Sequence, residues 1–295
     1  MSSSDGTSIR AASHARRHHL TRTLVASGFL VAAVLGVAGT PVRAQSADAP
    51  VRDIDTRGAS SVPRGFVDVD GVPFFVACDS SDDLFLWRAT DDGSGVGQLA
   101  RVARDRRSTC PEDGSSVRLE SAVLDGRLYL VVDRGDLWVS DGTSEGTGTA
   151  ALAPDESWFA SPTTVGDRLF FVTLDGVGDP EALWVSDGTQ DGTHRVRSVP
   201  ARDLVAFGDR LLFWGHDASH GWEPWVSDGT KAGTHLVRDL VAGRDSSRLR
   251  SAAQLGSRVY AAITRGSAGT ELWRTNGAAS GTTRLRDFRP GPRPG

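Results

Sequence analysis

The 295-residue sequence contains an internal repeat, and this repeat restricts the chain to a small set of folds. A tryptophan recurs at intervals of 51, 46, 41 and 48 residues, usually after a leucine. Three copies continue as Val-Ser-Asp-Gly-Thr and then a Gly-Thr pair, and the last copy has Arg-Thr-Asn-Gly. Periods of about 40–50 residues are typical of β-propeller blades. The repeated residues are Trp87, Trp138, Trp184, Trp225 and Trp273, the pairs Asp141-Gly142, Asp187-Gly188 and Asp228-Gly229, and Asn276-Gly277.

A second periodic signal, a two-residue turn, precedes each tryptophan. These turns are Asp-Gly, Gly-Asp or Gly-Ser and begin at Asp70, Asp125, Gly166, Gly208 and Gly256. Such pairs close tight hairpins, and each is followed by a β-rich run. Adding a strand that carries the tryptophan and one after the Gly-Thr pair gives four antiparallel strands per repeat. The sequence therefore predicts an all-β fold, a propeller of about five four-stranded blades within residues 51–291. The predicted blades are at about 55–104, 115–153, 158–199, 201–241 and 246–288.

The first 44 residues have the pattern of a secretory signal peptide, the only segment expected to be helical. Four arginines between positions 10 and 22 precede an apolar run, and Val42-Arg43-Ala44 supplies small residues before a cleavage point after Ala44. An uncleaved membrane anchor is the alternative, and Arg16-Arg17 leaves the export route open between the general and twin-arginine pathways. We expect a secreted, periplasmic or cell-surface protein, with a short linker at 45–50 and a flexible tail at 289–295.

The charge balance disfavours nucleic acid as a partner. The net charge is −4, and without residues 1–44 the chain has 28 basic and 36 acidic residues, a net of −8. It contains no basic stripe that could neutralise phosphates. After residue 44 the sequence has no second hydrophobic segment, so no membrane span is expected after cleavage.

The repeat resembles the bacterial family that is named for its ELWxxDGT motif. The spelling Glu-Leu-Trp occurs at Glu271, and the Glu position holds Asp136, Ala182 and Glu223 in other copies. The resemblance covers about residues 51–288 and implies exported proteins with a propeller-like fold, but no particular activity, substrate or cofactor. The segment 51–54, Val-Arg-Asp-Ile, is similar to an additional fourth strand. Whether it seals the ring against the last blade, lies at the rim, or belongs to a ring that continues into a partner chain stays open.

The two cysteines, Cys78 and Cys110, lie 32 residues apart. Disulfides persist in oxidising compartments, and closing a loop of this size stabilises a protein by about 3–4 kcal/mol in the chain-entropy model. Alternating strand directions place the end of the second strand and the connection after the fourth on one face, so we predict a disulfide. Two unpaired thiols are the alternative. A zinc site is not expected, because neither cysteine has a partner at ligand spacing.

Tryptophan and aspartate are candidates for ligand contact. We expect the repeated tryptophans to pack between adjacent sheets, whereas Trp158, Trp214 and Trp222 lie outside the repeat and are candidates for exposed recognition. We expect the repeated aspartates to cap turns, because a calcium ion needs about six or more oxygens at one point and these residues occur once per blade.

Other polar residues suggest weaker candidates. His216, Asp217 and His220 could supply metal ligands, although a solvated loop is the preferred interpretation. Arginines near the predicted inner strands, Arg202, Arg248 and Arg250, could bind an anion in the channel.

The sequence lacks the common catalytic motifs, namely the nucleophile elbow, the HExxH zinc motif and the phosphate-binding loop. Tyr129 and Tyr260 occupy a position that other copies fill with Phe or Leu, so we expect them in the sheets. We predict a non-enzymatic binding or scaffold propeller without a cofactor, which recognises surface polysaccharide or protein. The alternative is a hydrolase with its site in the central channel.

Overall fold

The computed structural model describes residues 61–81, 83–103, 117–133, 135–152 and 158–288, which form five four-stranded antiparallel sheets. In every sheet the strands neighbour one another in chain order. The all-β propeller predicted from the repeat is confirmed. Sheet 1 comprises β1 (Arg64–Val69), β2 (Val72–Cys78), β3 (Leu84–Ala89) and β4 (Val96–Ala103), and sheet 2 comprises β5 (Leu119–Leu124), β6 (Arg127–Val132), β7 (Leu137–Ser140) and β8 (Gly148–Thr149). Sheet 3 comprises β9 (Trp158–Val165), β10 (Arg168–Leu174), β11 (Pro180–Ser186) and β12 (His194–Arg197), and sheet 4 comprises β13 (Ala201–Phe207), β14 (Arg210–Asp217), β15 (Gly221–Ser227) and β16 (His235–Leu236). Sheet 5 comprises β17 (Ser247–Leu255), β18 (Arg258–Arg265), β19 (Thr270–Thr275) and β20 (Thr283–Asp287).

Several predictions fall on residues that lie outside the described part. These are the signal peptide and cleavage after Ala44, the linker at 45–50, the strand-like segment 51–54, the tail from 289 onward and Cys110. Cys78 is the last residue of β2 and is buried, and the disulfide stays a prediction. The described residues contain no α-helix, only two short 3₁₀ turns, and hence no helix that could span a membrane.

The five predicted hairpin turns are confirmed. In each sheet the last residue of the first strand pairs with the first residue of the second across a two-residue turn. The first turn residue has a positive φ in every copy, from 49° at Asp125 to 60° at Gly166 and Gly208. This is the backbone conformation that closes such a hairpin, and Gly, Asn and Asp adopt it most readily.

Hydrophobic clusters join consecutive sheets. One cluster unites sheets 1 and 2, a second sheets 2 and 3, a third sheets 3 and 4, and a fourth sheets 4 and 5. We call the side of a sheet that contacts the next sheet its outgoing face, and the opposite side its incoming face. The fifth cluster belongs to sheet 1 alone, on its incoming face. The first strands of consecutive sheets lie beside each other, so they line the central channel.

The Asp-Gly-Thr turn between the third and fourth strands is held by the same hydrogen bonds in sheets 2, 3 and 4. In sheet 4, the amide of Thr230 donates to Asp228 Oδ1 at 2.8 Å and the amide of Gly229 donates to Ser227 Oγ at 3.0 Å. The amide of Gly233, from the Gly-Thr pair, donates to Thr230 Oγ1 at 2.9 Å. The Thr230 hydroxyl and amide, which both donate to Asp228 Oδ1, lower the pKa of Asp228 below its ordinary value. The repeated aspartate therefore caps a turn.

Each of these turns also docks on the preceding sheet. In sheet 4, Gly229 has a φ of +88°, and a Cβ there would lie 2.9 Å from Arg168 of sheet 3. The Arg168 guanidinium donates to the carbonyl of Asp228. In sheet 2 the carbonyl of Gly142 accepts from Arg88 of sheet 1 at 3.0 Å. The glycine of Asp-Gly-Thr is therefore needed for two reasons, its positive φ and the close approach of its backbone to the preceding sheet.

The described residues leave the outgoing face of sheet 5 bare, whereas they cover this face in the other four sheets. The residue before the hairpin turn is buried in sheets 1 to 4, but Leu255 in sheet 5 is 72% exposed. At the end of the last strand, Leu285 and Phe288 are 42% and 65% exposed, whereas Val237 and Leu240 of sheet 4 are buried. Among the described residues no hydrophobic cluster joins sheet 5 to sheet 1. The joint that connects the other sheets is therefore not repeated between the last sheet and the first.

The glutamate of the motif occupies two different environments in sheets 4 and 5. Glu223 is fully buried and accepts from Ser247 Oγ at 2.8 Å and from two backbone amides, and burial raises its pKa to about 7. Glu271 accepts from Arg265 and Arg284, and the Arg265 bond in particular lowers its pKa to about 2. The glutamate at this position therefore has a raised pKa in sheet 4 and a lowered pKa in sheet 5.

These shifts predict opposite pH dependences. Glu223 keeps its proton in the folded state up to about pH 7, so its stabilising contribution is complete below its ordinary pKa of 4.5 and is lost as the pH rises to about 7. The loss amounts to about 3 kcal/mol. Glu223→Gln should remove this fall in the free energy of unfolding, measured by denaturation between about pH 5 and 7.

Glu271→Gln is the control. The Glu271 contribution is complete above pH 4.5 and is lost as the pH falls towards about 2. Between about pH 5 and 7 this variant should be less stable than the unmodified protein but keep its pH slope. An unchanged slope in Glu223→Gln would contradict the prediction.

Candidate ligand-binding site

A cavity opens at the end of the channel where the first strands begin. It has a volume of about 740 Å³ and is bordered by the starts of β5, β9 and β13, by the β10–β11 connection and by Trp222 at the start of β15. All these chain ends lie on one side of the ring because strands alternate in direction. We call this side the cavity face and the opposite side, which carries the hairpin and Asp-Gly-Thr turns, the turn face.

Arg202 and Trp222 form one wall of the cavity. The Arg202 guanidinium carbon lies 4.0 Å from the centre of the Trp222 ring, which is a cation–π contact. Its Nε is 3.7 Å from Asp203 Oδ2 and donates no hydrogen bond. Burial lowers the pKa of Arg202 and raises that of Asp203. The cavity therefore holds a planar cation on an aromatic ring beside a partly desolvated carboxyl group.

Glu120 is fixed by two partners in the same cavity. Its Oε1 accepts from Arg118 Nε at 2.7 Å, and its Oε2 accepts from the backbone amide of Ser161 at 2.5 Å. The second bond links the first strands of sheets 2 and 3. Glu120 therefore positions Arg118 and this part of the wall.

Irregular backbone aims these side chains. The pairing of β13 with β14 shifts between Arg202 and Val205, and that of β9 with β10 shifts near Ser161. Ser161 and Asp203 have φ values of +56° and +54°, although neither is glycine. A bulge of this kind redirects a side chain, and such strained residues cost about 1–3 kcal/mol each and cluster at functional sites. Similar shifts occur in β1 and β17, so the bulge is a general feature of the first strands, and in β9 and β13 it shapes the cavity wall.

The three non-repeat tryptophans have different positions. Trp222 lines the cavity. Trp158 is 46% exposed at the first residue of β9, and hence on the cavity face. Trp214 is only 1% exposed, and its Nε1 donates to Ser247 Oγ at 2.9 Å. The expectation of exposed recognition is wrong for Trp214, because β14 is a central strand whose outgoing face is covered by sheet 5.

The other sequence candidates lie apart from the cavity. Asp217 accepts from His220 at 2.9 Å and His216 packs against the Trp222 ring, so they do not converge on one point. Within the described ranges no group of three or more His, Cys, Asp or Glu could hold a metal ion. Arg250 donates to Thr264 on the neighbouring strand. The repeated tryptophans Trp87, Trp138, Trp184, Trp225 and Trp273 lie in or against the hydrophobic clusters on incoming faces.

Sequence reasoning missed most of the cavity wall. Arg118, Glu120, Ser161 and Asp179 carry no motif, and they are brought together from sheets 2 and 3 only by folding. Their one shared signal is a position at the start of a first strand or in the connection beside it.

No protein-family model and no curated protein matches the chain. Among solved structures it is similar to an oligogalacturonate lyase in complex with manganese (11% identity, 72% of this chain and 61% of that chain, TM-score 0.50). It is also similar to a puromycin hydrolase (15% identity, 82% of this chain and 42% of that chain, TM-score 0.48). A third similar structure is the β-propeller domain of the Trilobed protease from Pyrococcus furiosus (14% identity, 78% of this chain and 72% of that chain, TM-score 0.48). The chain spans less than two thirds of the first two proteins. At these identities the likeness concerns the fold alone.

Proposed function

We propose that this chain is an exported, non-enzymatic binding propeller that recognises an extracellular glycan in the cavity between sheets 2, 3 and 4. The N-terminal pattern and the ELWxxDGT-like repeat support export. The observation that carries the binding role is the cavity itself, which combines the Arg202–Trp222 wall with fixed polar groups and with exposed Trp158 on the same face. Rigid aromatic surfaces beside polar groups of fixed direction suit sugar rings, which have apolar faces and hydroxyl edges.

A hydrolase in the same cavity is the alternative, and one observation favours it. Burial raises the pKa of Asp203, and a carboxylic acid that stays protonated could act as a general acid. A second carboxylate would be needed for glycoside hydrolysis. Glu120 is engaged by Arg118 and the Ser161 amide, which leaves Asp179 as the other carboxylate of the wall. The described cavity wall contains no His, Cys, Lys or Tyr that could serve as a base or nucleophile. These features favour binding over turnover.

Glycan binding predicts a strong effect of Trp222→Ala. The purified protein should bind a subset of a bacterial and plant glycan array, and the variant should bind the same glycans about tenfold or more weakly, because truncated aromatic anchors typically have effects of this size. Affinity is measured by calorimetry, and a thermal melt checks that the variant is folded.

Phe288→Ala is the control, because this aromatic ring is exposed and lies on sheet 5, away from the cavity. It should leave glycan affinity unchanged. If a bound glycan is cut into shorter sugars, and Asp203→Asn abolishes this cleavage, the protein is a hydrolase and the proposed non-enzymatic function is wrong. An array with no bound glycan would exclude the proposed function.

A further inference from the structure

Arg202 combines partial burial with donors that are unused within the described part of the protein. It carries five N–H donors, yet no described residue accepts a hydrogen bond from it, and its only carboxylate neighbour within 4.0 Å is Asp203, at 3.7 Å from Nε. Arg118 and Arg250, by contrast, each donate to a neighbouring side chain. A half-buried guanidinium without acceptors is costly unless a ligand supplies them.

The position of Arg202 is restrained although its donors are not used. The guanidinium carbon lies over Trp222 at 4.0 Å from the ring centre, a contact that supplies no hydrogen-bond acceptor to the N–H groups. A planar fork presents two parallel N–H groups, which match the two oxygens of a carboxylate. This arrangement suits a carboxylate better than a single hydroxyl group.

Charges of both signs surround Arg202, and its nearest carboxylate, Asp203, is only weakly engaged with it. Arg248 and Arg118 both act electrostatically here, the first on Arg202 and the second on Asp203. The two oxygens of Glu120 are already bonded, and burial raises the pKa of Asp203, which weakens it as a counter-ion. Asp179 lines the cavity from sheet 3, so an anionic group is expected on the sheet 4 side.

We propose that the ligand of this cavity is an acidic saccharide, and that Arg202 binds the carboxylate of a uronic-acid residue through a bidentate pair of hydrogen bonds. The inference rests on the proposed glycan-binding function and names the class of glycan. Arg202 is the residue that distinguishes acidic from neutral sugars, while Trp222 restrains its position.

The experiment compares two ligands that differ only at C6. Short β-linked oligomers of glucuronate and of glucose, equal in length, are titrated into the purified protein at low and at physiological salt. We expect the glucuronate oligomer to bind at least tenfold more tightly, with an advantage that shrinks as salt rises. Arg202→Lys keeps the charge but lacks the planar fork, and should lose most of that advantage, so that its affinities for the glucuronate and glucose oligomers become similar.

Arg258→Gln is the matched control, because this exposed arginine begins β18 at the turn face. It should change neither affinity. If neutral array glycans bind and the glucuronate oligomer binds no better than the glucose oligomer, the acidic class is wrong and the glycan-binding function stands. An advantage that persists unchanged in both Arg202→Lys and Arg202→Gln overturns the role of Arg202. If no glycan binds at all, the proposed function itself fails.

Discussion

Phe207→Ala should lower the free energy of unfolding by about 3–5 kcal/mol, the usual cost of truncating a buried aromatic side chain. Phe207 is the last residue of β13 and is buried in the joint between sheets 4 and 5. Gly277 of the sheet 5 turn approaches it so closely that a Cβ there would lie 3.2 Å from the Phe207 ring. Removing the ring therefore leaves a cavity under the turn. Chemical denaturation followed by tryptophan fluorescence measures the change.

Leu255→Ala is the matched control at the equivalent position of sheet 5. Leu255 is 72% exposed because no following sheet covers it, so its truncation should change stability by less than about 0.5 kcal/mol. The contrast between the two variants tests the bare outgoing face directly. A large loss of stability in Leu255→Ala would show that another part of the protein covers this face in solution.

Gly233→Ala should destabilise the protein by about 2–3 kcal/mol, because overpacking a tight site forces neighbouring groups out of position. A Cβ on Gly233 would lie 2.1 Å from the carboxyl group of Asp228. Accommodating it requires the aspartate to leave Thr230, which breaks the turn that docks on sheet 3. The midpoint of chemical denaturation is the measurement.

Gly148→Ala is the control for Gly233→Ala. Gly148 lies in β8, its φ is not positive, and a Cβ there meets nothing within 4 Å. The alanine should be neutral or slightly stabilising, since it loses less conformational entropy on folding. Equal effects of the two substitutions would show that the second glycine of the motif is not required by its contact with the aspartate.

The strand plan of the propeller could be predicted because its signals are local. A two-residue hairpin such as Gly208-Asp209 needs only a positive φ, and the Asp228 turn bonds to residues within five positions of the chain. Each repeat therefore specifies its own sheet, and repetition makes the pattern unmistakable. The aspartates were assigned to turns for the same reason.

The candidate site could be predicted only in part. Trp222 and Arg202 were named individually, but nothing in the sequence indicates that they form one wall. Trp214 is equally outside the repeat, and it is buried only because sheet 5 covers it. Whether such a residue faces a cavity or a neighbouring sheet depends on which side of its strand it occupies and on what packs there.

The sequence by itself determined the number of strands, the positions of their turns and the direction in which each strand runs, because all three follow from contacts within a few residues. Only the tertiary structure decided that residues near positions 120, 161, 179 and 202 share a cavity, because they belong to three sheets and their spacing along the chain follows no ligand motif. It also decided that the outgoing face of sheet 5 is bare, since burial on that face depends on a neighbouring sheet and not on the repeat itself.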